Sequence, residues 1–372
     1  MAAPAFRGTL SRIIGNGERV EVRVSPTWLR VGAGLAAFVL VALVGMGALG
    51  GLDFEEARST FAIVMVVAVP VGLAVYALVE YAQTRRLDSI THQFDTRTLV
   101  LMPVAIALNI ALGTIVAEVL KVPIWLDSIG TILVAALAGP LAGAATGFLA
   151  NVIWTYLAPP PFASPFAVPF AVVAVVVGLL AGTFARWGWL RPRRGASGQR
   201  LALGGLVAIA AMALMAVLAL RIWTVGADEG AMTTVAWLAT AVAVLGTALG
   251  LALLLVRWQD QAAAYIVVAG VTTGIVAALI AAPIAASLFA GVTGSGADFV
   301  IAAMRAAGAD LEQAVLGQSL LFDPVDKTIT YFVVYLILGA MATRTKARFP
   351  QGRYLLPIDG PEDDRATTSP RR

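Results

Sequence analysis

The chain has 372 residues, of which 59% are hydrophobic and only 13% charged, with a mean hydropathy of +0.87. A soluble domain carries about 25% charged residues, so this composition excludes an ordinary soluble enzyme and points to an all-α, polytopic helical membrane protein. There is no cysteine and one histidine, His92, while the net charge of +4 comes without an aromatic-interleaved basic module; disulfides, thiolate or histidine metal clusters and a nucleic-acid partner are all excluded.

Residues 1–26 are polar and hold Arg7, Arg12, Arg19 and Arg23. They do not read as a cleaved signal peptide and are expected to form a cytoplasmic segment. A spanning helix needs about 20 mainly apolar residues. Spans are expected at 27–50, 59–80, 98–120, 127–139, 140–157, 165–187, 201–222, 231–256, 264–291 and 324–344, about ten helices in all. The fourth is short, and Gly139-Pro140 supplies a tight turn that joins it to the fifth as a hairpin. The expected organisation is two N-terminal helices with a basic loop over 27–97, four helices over 98–190, a helix pair within 191–261, and a final section over 262–345. The last section contains a long segment, 291–323, and the remaining 346–372 reads as a disordered tail.

With the N-terminus inside, 21 Arg and Lys residues fall on the cytoplasmic side, including Arg30 at the start of the first span. Five fall outside or near it: Arg58, Lys121, Arg221, Arg305 and Lys327. The positive-inside rule therefore places both termini in the cytoplasm. Arginine outnumbers lysine 23 to 3, a bias typical of GC-rich genomes, and the expected location is a prokaryotic plasma membrane.

Catalytic signatures are missing. No GxxxxGK[ST], HExxH or GxSxG occurs, and Gly294-Ser295-Gly296 has no partner base, so no catalytic residue, metal or cofactor is expected. The polar residues inside apolar spans carry the information instead, because such groups are expensive in hydrocarbon. In the third span Asn109 is such a residue, and Ala107, Ala111, Thr114 and Glu118 share one helical face at i, i+4, i+7 and i+11. The small end of that stripe suits close helix approach, either within the chain or to a partner; Glu118 lies at its polar end. In the fifth span Gly143, Gly147, Asn151 and Trp154 or Thr155 share a face, with Gly139 at its start. Asn151 beside Trp154 offers an amide and an aromatic plate to a small heterocycle; an interfacial belt role is the alternative for the tryptophan. Between these spans, Trp125 and Asp127 lie in a short loop that could rim the same cavity.

Before the last span, Asp323-Pro324-Val325-Asp326 reads as a helix N-terminus, with Asp323 as cap and Pro324 in the first turn. Lys327, Tyr331 and Tyr335 follow on one face with Thr330 beside them, suited to the wall of a polar cavity or to snorkelling and belt positions. The segment 291–323 reads as a Gly-rich hinge followed by short helices, a lid over that cavity.

The stretch IALNIALGTIVAEVLKVPIWLDSIGTILVAALAGPLAGAATGFLANVIW, together with DPVDKTITYFVVYLIL, resembles the substrate-binding membrane subunits (S components) of energy-coupling factor (ECF) transporters. The resemblance covers about 98–190 and 262–345. It implies a six-helix core with an outward vitamin pocket, to which two N-terminal helices and the pair within 201–256 are additions. It also implies a coupling membrane subunit docking on Ala107 and Ala111, with the small Gly139, Gly143 and Gly147 available for close approach, and two separate ABC ATPases supplying energy. Asn109, Glu118, Trp125, Asp127, Asn151, Trp154, Thr155, Lys327, Thr330, Tyr331 and Tyr335 are the expected substrate-binding set. No signature for a particular vitamin is present, so the expected substrate is vitamin-like or nucleobase-like. A ligand sensor acting on a cytoplasmic partner and a stand-alone secondary transporter are the alternatives.

Overall fold

The computed structural model describes residues 9–13, 19–23, 26–47, 54–194, scattered positions between 202 and 217, and 234–357. Contacts divide the chain into two compact units, one ending at His92 and the other beginning at Gln93. The division falls slightly before the expected one at 97/98, because Gln93 and Asp95 serve the second unit. Gln93 accepts a hydrogen bond from the Leu141 amide at 2.9 Å, and Asp95 accepts one from the Thr98 amide at 2.8 Å.

In the first unit, β1 (Thr9–Ile13) and β2 (Arg19–Arg23) pair antiparallel with Thr9 opposite Arg23. This short hairpin is an addition to a chain whose other described elements are all helical. The second strand, Arg19-Val20-Glu21-Val22-Arg23, alternates polar and apolar residues, and the sequence between the strands carries Asn16-Gly17, a strong hairpin-turn signal. Two long helices follow, α1 (Pro26–Gly47) and α2 (Phe54–Thr84), then the single turn α3 (Asp88–Thr91). The two long helices approach closely where a Cβ on Gly34 would lie 2.8 Å from the Gly72 carbonyl oxygen. Glu80, 2% exposed, receives Arg30 Nη1 at 2.9 Å and Ser89 Oγ at 2.6 Å, so the buried carboxylate is paired as burial requires.

The second unit is a helical bundle. Its elements are α4 (Thr96–Gly113) with a π-helical extension (Thr114–Val119), α5 (Ile129–Ala138), α6 (Pro140–Tyr156), α7 (Ala171–Arg186), α8 (Thr234–Val256), α9 (Ala262–Phe289), α10 (Ala297–Ala306), α11 (Leu311–Ala340) and α12 (Thr343–Ala347). All ten residues of α5 are buried, which explains why it is apolar on every side. At about 1.5 Å per residue it is roughly 15 Å long, half a bilayer core; the expected fourth span is a buried half-length helix. The Gly139–Pro140 turn forms as expected, with Gly139 at φ +130°. The pair α9 and α11 packs most extensively, since Gly270 lies against Thr328 and Gly274 against Pro324 with no room for a Cβ. Helix α8 joins the same core through Leu251, Leu254 and Leu255.

Among the described residues, five helices are long and apolar enough to cross a membrane: Val67–Thr84, Thr96–Val119, Val168–Arg186, Thr234–Val256 and Ala262–Phe289. Their outward surfaces are apolar, as at Leu99, Val100 and Val104 of α4, which suits hydrocarbon and not water. The expected span 201–222 falls largely outside the described residues.

Two expectations about chain ends are corrected. The last long helix does not start at Asp323; it starts after Asp310, whose side chain accepts from the Gln313 amide at 2.8 Å, and it runs through Pro324. The amphipathic residues before Pro324 continue the helix, so Asp323 and Asp326 are interior residues and not caps. The segment expected to be disordered from 346 is ordered through Pro357. Gln351 donates from its backbone to the Leu137 carbonyl at 2.8 Å, an orphan at the end of α5, and from Nε2 to the Gly182 carbonyl at 2.7 Å in the last turns of α7.

Candidate functional site

At one end of the second unit, the middle of α11 organises the loop 120–128. The carboxylate of Asp326, 1% exposed, accepts from the amides of Trp125 at 3.1 Å and Leu126 at 2.9 Å, and pairs with Lys327 Nζ at 2.6 Å. Lys327 also reaches Ser128 Oγ at 2.9 Å and Asp127 at 3.5 Å. Leu126 sits at φ +50°, a conformation that disfavours side-chain-bearing residues, and the two bonds to Asp326 hold it there. An ion pair on α11 thus fixes a loop about 200 residues earlier.

This loop closes one side of a cavity of about 110 Å³, ample for several waters or a small ligand. Glu118, Trp125, Asp127, Ser128, Asn151 and Trp154 line it from the first half of the unit. Gln318, Ser319, Asp323 and Lys327 line it from α11, and Ala277, Ala281 and Ala285 form a smooth wall from α9. Phe166 and Phe170 add aromatic surface, while Ala297 and Ile301 place α10 against the same space. Six residues of the sequence-derived set, Glu118, Trp125, Asp127, Asn151, Trp154 and Lys327, therefore meet at one cavity. The indole Nε1 of Trp154 is buried with no acceptor among the described residues, and Asn151 uses its amide nitrogen on the Gly147 carbonyl at 3.0 Å.

The π-helical turn explains how Glu118 gets there. Regular α-helical spacing puts Glu118 on the Ala107/Ala111 stripe. The wider turn over Thr114–Val119 shifts the register, so Ala107 stays exposed while Glu118, half-buried, joins the cavity beside Ser164. Such π turns occur often at functional sites. A π turn also leaves a carbonyl without its usual partner; here the Ala117 oxygen accepts from the Gly296 amide at 3.2 Å. The Gly-rich segment before α10 is tied down at this point. Asp298 holds its other side, accepting from the amides of Thr293 at 3.0 Å and Gly294 at 2.8 Å.

The other five expected substrate residues lie elsewhere, each with a structural partner. Asn109 donates to Thr131 Oγ1 at 2.8 Å and accepts from the Gly130 amide at 2.7 Å, capping α5 from a neighbouring helix. Thr155 accepts from the Val168 amide at 3.0 Å, and Thr330 turns back onto the Asp326 carbonyl at 2.8 Å. Tyr331 is fully buried against Thr273, 3.1 Å away. Tyr335 donates to Asp260 at 2.7 Å, two turns beyond Lys327 and outside the cavity lining. Asp323, Gln318, Phe166 and Phe170 are lining residues that sequence reasoning did not assign to the site. Asp323 carried one legible signal: it stands four residues before Lys327, hence on the same face.

The small residues expected to dock a partner divide in two. Gly139 lies against Gln93, Gly143 against Ala135 and Gly147 against Ala174, so these three serve the internal packing of α5, α6 and α7. Ala107 and Ala111 face outward, in an apolar groove between α4 and α6 that also includes Leu99, Pro103, Leu149 and Ile153. No family model matches the sequence, and no curated protein and no solved structure matches it either.

Proposed function

We propose that the chain is a substrate-binding membrane subunit of an ECF-type importer, capturing a vitamin-like or nucleobase-like small molecule. The observation that carries this reading is the convergence of Glu118, Trp125, Asp127, Asn151, Trp154 and Lys327, drawn from positions as far apart as 118 and 327, on one cavity at one end of an apolar bundle. Pockets for small molecules have this character: mostly apolar and aromatic walls with a few placed polar groups. The outward Ala107/Ala111 groove supports the second half of the proposal, since small residues let another helix approach closely. A separate coupling subunit would seat there, with two ABC ATPases supplying energy. In this reading the cavity end faces outward and both termini are cytoplasmic.

Two measurements test it. Native mass spectrometry of the full chain purified in mild detergent should release a co-purified small molecule, lost in Trp154→Ala. Co-expression with candidate coupling subunits should give a complex that Ala107→Leu and Ala111→Leu weaken. An empty wild-type cavity under every growth condition would remove the first half of the proposal, and unchanged assembly of the leucine variants the second.

A further inference from the structure

The charge inventory of the cavity is lopsided. Glu118, Asp127 and Asp323 line it, against one lining cation, Lys327. Lys327 is itself already matched by Asp326 at 2.6 Å behind the wall. The nearest other ammonium, Lys121, acts on Glu118 from the side and donates to the Gly294 carbonyl. Asp323 is the extreme case: 9% exposed, facing the cavity, it accepts no hydrogen bond from any described residue. A carboxylate buried without a hydrogen bond is costly unless it is protonated or meets a compensating charge, and the cation that acts on Asp323, Lys327, is shared with Asp326 and Asp127. An acidic cluster of this kind could take a metal ion, but among the described residues no three acidic or histidine side chains come close enough together to hold one. The acids are instead spread around a chamber with aromatic walls, Trp125, Trp154, Phe166 and Phe170. Aromatic faces attract organic cations, most strongly where water is excluded.

On the ligand-binding reading above, we infer that the cavity takes a flat organic cation, an N–H-bearing amidinium or protonated amino-heterocycle. Its charge lies against Asp323 and Glu118, and its ring lies among the tryptophans and phenylalanines. Asn151 Oδ1, whose amide nitrogen is already committed to Gly147, accepts one N–H from the ring edge. The same cavity disfavours carboxylates, because an anion would meet three lining acids.

The experiment uses three probes of nearly equal shape on the full chain in nanodiscs: benzamidinium, neutral benzamide and anionic benzoate. Binding is read by tryptophan fluorescence and by the shift in unfolding midpoint. The expected order is benzamidinium tightest, benzamide weaker by about tenfold or more, and benzoate without effect. Asp323→Asn and Glu118→Gln should each lower benzamidinium affinity by a larger factor than benzamide affinity, and the unliganded unfolding midpoint shows that each variant is folded. Equal or tighter binding of benzamide or benzoate, lost in Trp154→Ala, overturns the cation assignment while leaving the cavity as a binding site. Failure of all three probes also overturns the cation assignment, and the co-purified-ligand experiment then judges the cavity separately. A response to sodium chloride equal to that with benzamidinium chloride overturns it as well.

Discussion

Removing the Asp326 carboxylate is the most demanding perturbation of this architecture. Asp326→Ala would leave Lys327, 8% exposed at its side chain, without its closest partner and would orphan the amides of Trp125 and Leu126. Breaking one side of a buried pair costs about 3–5 kcal/mol, and each orphaned buried amide about 1–3 kcal/mol. These do not simply add, because Asp127 and Ser128 still touch Lys327 and the adjacent cavity can admit water. The expected loss is therefore the pair figure, about 3–5 kcal/mol. Leu126 would also lose what holds its left-handed backbone, so the loop should relax and the cavity open. Denaturant unfolding of the full chain in detergent micelles, followed by tryptophan fluorescence, measures the loss. Two companions sharpen it. Asp326→Asn keeps an oxygen for the two amides and should fall between wild type and alanine. Adding Lys327→Met to Asp326→Ala removes the stranded charge and should recover at least half of the loss. An alanine variant within about 1 kcal/mol of wild type, below the cost of even one buried charge-bearing bond, would refute the reasoning. So would a double variant no more stable than the single.

Other substitutions separate support from binding. Asn109→Ala should destabilise by about 1–2 kcal/mol, the value of a helix cap, with probe affinity unchanged; a large affinity loss in a stable variant would return Asn109 to the site. Gly130→Ala places a Cβ against the backbone of Ala105, and with no flexible side chain to yield it should abolish the monodisperse folded peak in size-exclusion chromatography. Gln351→Ala withdraws Nε2 from the Gly182 carbonyl, which keeps its own helical amide, and should lower stability by about 0.5–1.5 kcal/mol, the net value of one hydrogen bond. The same change should raise amide hydrogen exchange at the end of α7, whereas an unchanged exchange pattern would show that the ordered segment after α11 does not hold that end.

Much of the architecture was legible because bilayer-length apolar runs and Gly-Pro punctuation are local signals. The α5–α6 hairpin was readable from Gly139-Pro140, and the long apolar helices from their composition. What was not legible depends on depth and on pairing. Lys327, Tyr331 and Tyr335 do share a face of α11, but each four residues advances about 6 Å along the axis. One face therefore passes from the cavity at Lys327, through the packed core at Tyr331, to the Asp260 cluster at Tyr335. Spacing gives direction and says nothing of what lies at that level. Glu118 was assigned to the site, but its stripe with Ala107 assumed α geometry throughout, and the π turn shifts the register at that point.

Pairing is the deeper difficulty. A polar group among apolar residues must be satisfied, and the same desolvation penalty applies whether the partner is a ligand or the next helix. Asn109 and Asn151 look alike in sequence, each an amide in a spanning segment. In three dimensions Asn109 is committed at both ends, to Thr131 and to the Gly130 amide, whereas Asn151 commits only its nitrogen. Asp323 and Asp326 stand three residues apart and differ in the same way, one whose side chain has no hydrogen bond from any described residue and faces the cavity, the other serving two amides and a lysine. The residue that marks a ligand site in such a bundle is the buried polar group left with an open valence. That property belongs to the fold as a whole, and it singles out Asp323, which sequence reasoning had taken for a helix cap.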